Sequence, residues 1–280
     1  MEEGREIRAL VTGAAGGMGR ATCLELLRDT RRRGQTLRLA AACARPGGAL
    51  DELVAELRAA GANASAHVAD LADPAACTRL GEEVTAACGG LDRLFSIAGM
   101  TRSGALATLD VADWDHVFNV DARATWLLAR AVRPALARSR GAIVAVASVS
   151  AHCPFPGLGA YSAAKAALVM LCRQMAQEWA ADGIRVNTVS PGLVRTPLTE
   201  SLYADPEMLA SREAVVPLHR IGSVDDVARA LVQLAGPDFG YATGIDLKLD
   251  GGLCDRVLGA VPGRPANKSR QPAPPEQTPT

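Results

Sequence analysis

The sequence has no net charge: 30 Lys+Arg stand against 30 Asp+Glu in 280 residues. General nucleic-acid binding needs a basic face, so this balance argues against that class of partner. The four arginines of "RDTRRRG" (28–34) are the local exception, and they read as a solvated helix end, where cations suit the dipole. No apolar run approaches the roughly 18 residues of a membrane span, so no membrane partner is expected. The opening "MEEGREIRAL" is charged and lacks the apolar core of a signal peptide. The seven cysteines, at positions 23, 43, 77, 88, 153, 172 and 254, form no C-x-x-C and no Cys/His cluster with zinc spacing. No metal site is therefore expected, and the odd count points to reduced thiols and a cytoplasmic setting. His67, His116, His152 and His219 make no triad, and no internal repeat is visible.

What is present is alternation. Apolar residues make up 49% of the chain and fall into two kinds of segment. Short β-like runs begin at Ile7, Thr36, Ser65, Leu91, Gly141, Ile184 and Ile245. Helical periodicity lies between them. "RATCLELLRDT" puts Cys23, Leu26 and Leu27 on one face, and "LDELVAELRAAG" does the same with Leu50, Leu53, Val54 and Leu57 before Gly61 ends it. "WDHVFNVDARATWLLARAVRPAL" reads as one continuous helix. Seven strands alternating with helices predict a single doubly wound α/β domain, with a mostly parallel seven-stranded sheet flanked by helices. The domain is expected over 1–255. The Pro-rich, polar segment 256–280 has little apolar surface to bury and is expected to be disordered.

The first strand hands over to the first helix through "VTGAAGGMG". A parallel strand ends at the edge of the sheet where ligands bind, and a helix start there offers free N–H groups and a positive dipole end. A pyrophosphate can sit on it if no Cβ intervenes. Gly13 then serves the tight turn, Gly17 the close approach and Gly19 the packing of helix on strand. Further on, Ser148 closes the fifth strand, and Tyr161 and Lys165 stand four apart on one face of the next helix. These residue types suit carbonyl reduction. A hydride arriving at a carbonyl carbon leaves an anionic oxygen that needs a proton; a phenol can donate it, a nearby ammonium favours the phenolate on the way back, and a hydroxyl can hydrogen-bond the developing alkoxide.

With T-G-x-x-x-G-x-G from Thr12 to Gly19, then Ser148, then Tyr161-x-x-x-Lys165, the chain resembles the short-chain dehydrogenase/reductase family from about Ile7 to Gly252. The resemblance implies a Rossmann fold and NAD(P)-dependent interconversion of a secondary alcohol and a ketone. It makes Asn119, Ser148, Tyr161 and Lys165 the catalytic set, with Tyr161 as acid/base and Lys165 also holding the nicotinamide ribose. It places the cofactor against Gly13, Ala15, Gly17, Met18 and Gly19, with Asp70 and Leu71 near the adenine, Ala98 and Gly99 at the fourth strand, and Pro191, Gly192 and Thr196 near the carboxamide. Ile97 departs from the family's usual asparagine, which puts polar bracing of the strand ends in doubt. The loop "SAHCPFPGLG" flanks the substrate in the family, so Ser148, His152, Phe155, Leu158 and Tyr161 are the expected pocket for a partly apolar alcohol or ketone, and the segment from Leu198 the expected lid.

No carboxylate stands near Ala41, Ala42 or Cys43, where an acidic residue would hold the ribose 2′-hydroxyl of NAD, and Arg45 lies just beyond. NADP(H) is therefore expected over NAD(H), although Gly16 occupies a loop position where phosphate-selecting relatives often carry Arg. A homotetramer or homodimer is implied. Alternatives are a 3-oxoacyl-carrier-protein reductase, with Arg102, Arg130 and Arg133 as candidates to meet an acidic carrier, a dihydrodiol or steroid dehydrogenase, and a non-catalytic dinucleotide-binding sensor. The intact Ser148, Tyr161 and Lys165 speak against the last.

Overall fold

Each apolar run of the sequence becomes a strand, and each periodic segment a helix that covers it. The computed structural model describes residues 4–197 and 199–256. Apart from Arg256, the tail expected to be disordered lies outside these residues. In chain order the elements are β1 (Glu6–Thr12), α1 (Gly17–Arg32), β2 (Thr36–Cys43), α2 (Gly48–Ala59), β3 (Asn63–Val68), α3 (Pro74–Cys88), β4 (Arg93–Ser96) and α4 (Val111–Phe118). A π-helical turn (Asn119–Arg123) leads to α5 (Ala124–Ser139), β5 (Ala142–Val146), α6 (Tyr161–Trp179), β6 (Arg185–Pro191) and β7 (Val194–Arg195). Then come α7 (Glu200–Tyr203), α8 (Pro206–Val215), β8 (Gly222–Ser223), α9 (Val224–Ala235) and β9 (Asp246–Leu249). The segment expected as a lid holds α7 and α8. No helix among the described residues is long and apolar enough to cross a membrane.

Seven strands form one sheet in the order β3-β2-β1-β4-β5-β6-β9, and every neighbouring pair is parallel. The order reverses direction between β1 and β4, which opens a crevice at their carboxyl ends. Alternation along each strand builds two cores. Leu10, Ile143 and Ala145 face one side, where Leu80, Leu128 and Leu168 of α3, α5 and α6 cover them. Ala9, Val11 and Val144 face the other, under Leu26, Leu53 and Leu231 of α1, α2 and α9.

The starts of α3, α4, α8 and α9 are capped by side chains. Asp73 accepts the Ala75 N–H at 2.9 Å ahead of α3, and Ser223 and Asp226 form a reciprocal capping box at α9. The start of α1 differs: its N-cap is Gly16, no side chain caps it, and no acid occupies its first turn. One expectation needs correction. The helix read as continuous from Trp114 is interrupted by the π turn at 119–123, whose wider loop shifts the register of everything between α4 and α5.

Candidate active site

The carboxyl ends of β1 and β4 meet through a single hydroxyl. Thr12 Oγ1 accepts the N–H of Ile97 at 3.1 Å and of Ala98 at 3.2 Å. The bracing that Ile97 cannot supply by a side-chain amide thus comes from Thr12. Gly13 follows with φ of +66°, and a Cβ there would stand 2.9 Å from the Ala98 nitrogen. A Cβ on Gly19 would lie 2.1 Å from the Gly13 carbonyl oxygen, and one on Gly17 2.7 Å from Pro197 Cδ. Gly13 and Gly19 thus leave room for backbone atoms of the loop and the β4 end, while the space at Gly17 is taken by Pro197.

Around this loop lies a cavity of about 940 Å³. Gly13, Ala15–Gly19, Ala42–Arg45, Ala69–Leu71 and Ile97–Met100 line it, with Arg102, His116, Val120, Thr196 and Pro197. The uncapped start of α1 opens into it, so its free N–H groups and dipole are available to a pyrophosphate. Asp70 both lines the cavity and holds its own turn, accepting the Ala72 N–H at 2.9 Å. Arg45 is exposed at the rim, and its guanidinium has no carboxylate partner among the described residues. A dinucleotide fits this donor set: backbone N–H groups for the phosphates, and one unpaired cation where the second strand ends.

The polar cluster lies behind the cavity wall. Lys165 is 2% exposed on α6, and its Nζ donates to the Val146 carbonyl at 3.0 Å and stands 5.6 Å from the centre of the Tyr161 ring. Its ion-pair partner is Asp121 of the π turn, with Oδ1 at 3.2 Å. Asp121 Oδ1 also accepts the Met100 N–H at 3.1 Å. Burial works to discharge the Lys165 ammonium, but the charges of Asp121 and Tyr161 outweigh it, so its pKa is raised and the cation persists. Burial pushes the Asp121 carboxyl up from its ordinary value, against the pull of Lys165. Gly99 joins cluster to cavity. It lines the cavity, and a Cβ on it would stand 2.6 Å from Asp121 Oδ1 and 3.1 Å from Lys165 Nζ.

Ser148 stands two residues beyond the end of β5 rather than within it, capping the 3₁₀ turn Val149–Ala151. Its Oγ accepts the Ser150 N–H at 3.1 Å, which leaves its own hydroxyl proton to be donated elsewhere.

Asn119 is not brought to Lys165. Its half-buried side chain makes no hydrogen bond among the described residues, and the side chain that meets Lys165 is Asp121, two residues on. The π turn sets that register, which a plain helical repeat does not indicate. His152 has a carboxylate partner. Its Nε2 lies 2.6 Å from Asp246 Oδ2, a carboxylate 2% exposed that also takes the hydroxyls of Thr188 and Ser190. A buried carboxylate needs donors, and His152 is held as one of them instead of facing the cavity. Phe155 is 59% exposed and Leu158 bridges to Gly104; neither lines the cavity. Pro191 ends β6 and Gly192 packs on Asp250, where a Cβ would come within 2.7 Å of its Cβ, so of that segment Thr196 and Pro197 reach the cavity wall.

The chain is similar to known proteins over most of its length. A family model described as enoyl-(acyl carrier protein) reductase matches residues 13–254. The 3-oxoacyl-[acyl-carrier-protein] reductase of Thermotoga maritima is 34% identical over 248 residues, covering 87% of this chain and 96% of that protein. The acetoacetyl-CoA reductase of Allochromatium vinosum is 34% identical over 247 residues, covering 88% and 97%. A short chain dehydrogenase from Burkholderia cenocepacia, solved in complex with NADP, is similar with a TM-score of 0.80 at 32% identity, over 88% of this chain and 97% of that one.

Proposed function

The chain belongs to the short-chain dehydrogenase/reductase family of oxidoreductases, and from that premise we propose that it interconverts a ketone and a secondary alcohol with NADP(H), using Tyr161 as the acid and base. The observation that carries the reading is Gly99, one wall shared by a dinucleotide-sized cavity and the buried Lys165 ammonium, beside which the half-buried Tyr161 ring lies. The cofactor, when bound, supplies or accepts the hydride. In reduction the Tyr161 hydroxyl donates its proton to the carbonyl oxygen, and in oxidation it takes one from the alcohol. Lys165 supplies the positive charge that lets the phenol part with that proton, and its remaining N–H is the group to hold the nicotinamide ribose. Ser148 donates its hydroxyl proton to the substrate oxygen and orients it.

Arg45 at the rim and the absence of a carboxylate among Ala42–Arg45 support the choice of NADP(H). The two relatives named above are called reductases of a 3-oxoacyl carrier and of acetoacetyl-CoA, which makes 3-oxoacyl thioesters the first substrate class to test. The catalytic domain is taken to end near residue 255. Trp126 on α5 and Met170 on α6 are 39% and 60% exposed, and such apolar exposure supports assembly into a homodimer or homotetramer through these helices.

The test is NADPH consumption by the full chain against acetoacetyl-CoA and a ketone panel, with light scattering for assembly. Turnover of at least one ketone, faster with NADPH than with NADH, is expected. Tight NADPH binding without turnover of any ketone would instead favour a dinucleotide sensor.

A further inference from the structure

The cluster behind Gly99 contains a carboxylate that hydride transfer itself does not require. Asp121 is 1% exposed and enters from the π turn. Its Oδ1 is shared between Lys165 and the Met100 N–H, while its Oδ2 is buried with no hydrogen-bond partner among the described residues. The carboxylate therefore relies on Lys165 for its charge compensation. That same ammonium, 5.6 Å from the Tyr161 ring, is the charge on which the phenol relies. Only a residue without a Cβ at position 99 lets the pair sit this close to the cavity.

We propose that Asp121 is a positioning residue that offsets the Lys165 charge, so that Tyr161 keeps its proton, the form that reduces a carbonyl, to higher pH. The inference rests on Tyr161 as the proton carrier. Its sign does not depend on how the proton is shared. Lys165 Nζ and the Tyr161 ring lie 5.6 Å apart, and a fixed negative charge beside them makes loss of a proton harder, whichever group gives it up. Among the described residues, the other groups facing the pair are few. His116 of α4 faces Asp121, and Cys172 of α6 faces Lys165 with its thiol pushed up to about 12 by burial, hence neutral. Asp246 of β9 faces Cys172 and is itself bound to His152, and β5 presents the neutral Val146 carbonyl. None of these replaces Asp121.

The experiment needs no substrate. Tyrosinate absorbance is titrated on the full chain, wild type and Asp121→Asn, each with its Tyr161→Phe counterpart subtracted so that Tyr203 and Tyr241 cancel. The midpoint should fall by about one pH unit in Asp121→Asn and stay near wild type in Asp121→Glu. With acetoacetyl-CoA and NADPH, the alkaline limb of the rate profile should move down by the same amount. An unchanged or higher midpoint in folded Asp121→Asn overturns the inference, whether or not the protein turns over. A lowered midpoint without turnover of any ketone supports it and counts only against the oxidoreductase reading. If Asp121→Asn does not fold, Asp121→Ser removes the same charge with a smaller side chain and is read in the same way.

Discussion

On the cavity side of Gly99, the loop from Gly13 to Gly19 carries no charge, and its features are absent atoms: three Cβ positions that would fall within 2.1–2.9 Å of neighbours. On the other side, a carboxylate and an ammonium stand 3.2 Å apart in nearly complete burial, and a phenol shares the ammonium. The loop works through shape and the N–H groups it exposes, so adding one carbon should harm it. The cluster works through charge, so removing a charge or an ionisable hydroxyl should harm it even where the shape is kept.

The largest effect should come from the cluster. Tyr161→Phe keeps the ring and its packing and removes the hydroxyl. General acid catalysis contributes about 10²–10⁴ in rate, roughly 3–5 kcal/mol of barrier, and turnover should fall by that factor with cofactor affinity nearly unchanged. A folded Tyr161→Phe enzyme with near wild-type turnover would send the search to another acid. Lys165→Met should lose turnover, weaken cofactor binding and lower the melting temperature as well, because it leaves Asp121 buried without its cation. Removing one partner of a buried pair costs about 3–5 kcal/mol. Adding Asp121→Asn to Lys165→Met should recover part of that stability and none of the turnover. If Lys165→Met melts like the wild type, the pair is not a buried charge pair in solution.

The loop should respond to bulk by position. Gly19→Ala brings a carbon to within 2.1 Å of the Gly13 carbonyl oxygen, a backbone atom that cannot swing away. Overpacking of this kind costs about 1–3 kcal/mol, so both the melting temperature and the affinity for NADPH should drop. Gly16→Ala is the control. Its φ is −80°, and its Cβ would meet the same oxygen at 3.3 Å, a contact that a small adjustment relieves. Equal losses in the two variants would show that loop flexibility matters rather than the space beside Gly13.

The two sides were also unequally legible in the sequence. At Gly13 and Gly19 strand before and helix after leave no room for a Cβ, and the seven strands read correctly because runs such as Ile143–Val146 leave little else to be. The closeness of Tyr161 and Lys165 was legible in their helical spacing, and the chemistry assigned to them only with Ser148 and the family resemblance beside it. Asp121 was not. One extra residue in a π turn leaves no trace in a periodicity that tolerates such a shift, and the resemblance directed attention to an amide at Asn119. The contact of His152 with Asp246 was not legible for a different reason: that partner lies 94 positions away and is brought near only by the pairing of β9 with β6. Thr12, which braces Ile97 and Ala98, showed as part of the glycine motif without any sign of whom it would hold.

The smallest effect tests an unpaired charge on the cavity side. Arg45 stands at the rim beyond Cys43, exposed and with no carboxylate partner among the described residues. An exposed guanidinium meeting a phosphate in high dielectric contributes about 1 kcal/mol, so Arg45→Ala should weaken NADPH binding about fivefold to tenfold. NADH lacks the 2′-phosphate, and its affinity should not change. The contact is solvent-exposed, so the difference between wild type and variant should shrink as salt shortens the screening length. Binding isotherms for both nucleotides at low and high salt separate the cases. A loss shared equally by NADPH and NADH would mean that Arg45 shapes the rim as the glycines do, and that the cavity side reads no charge at all.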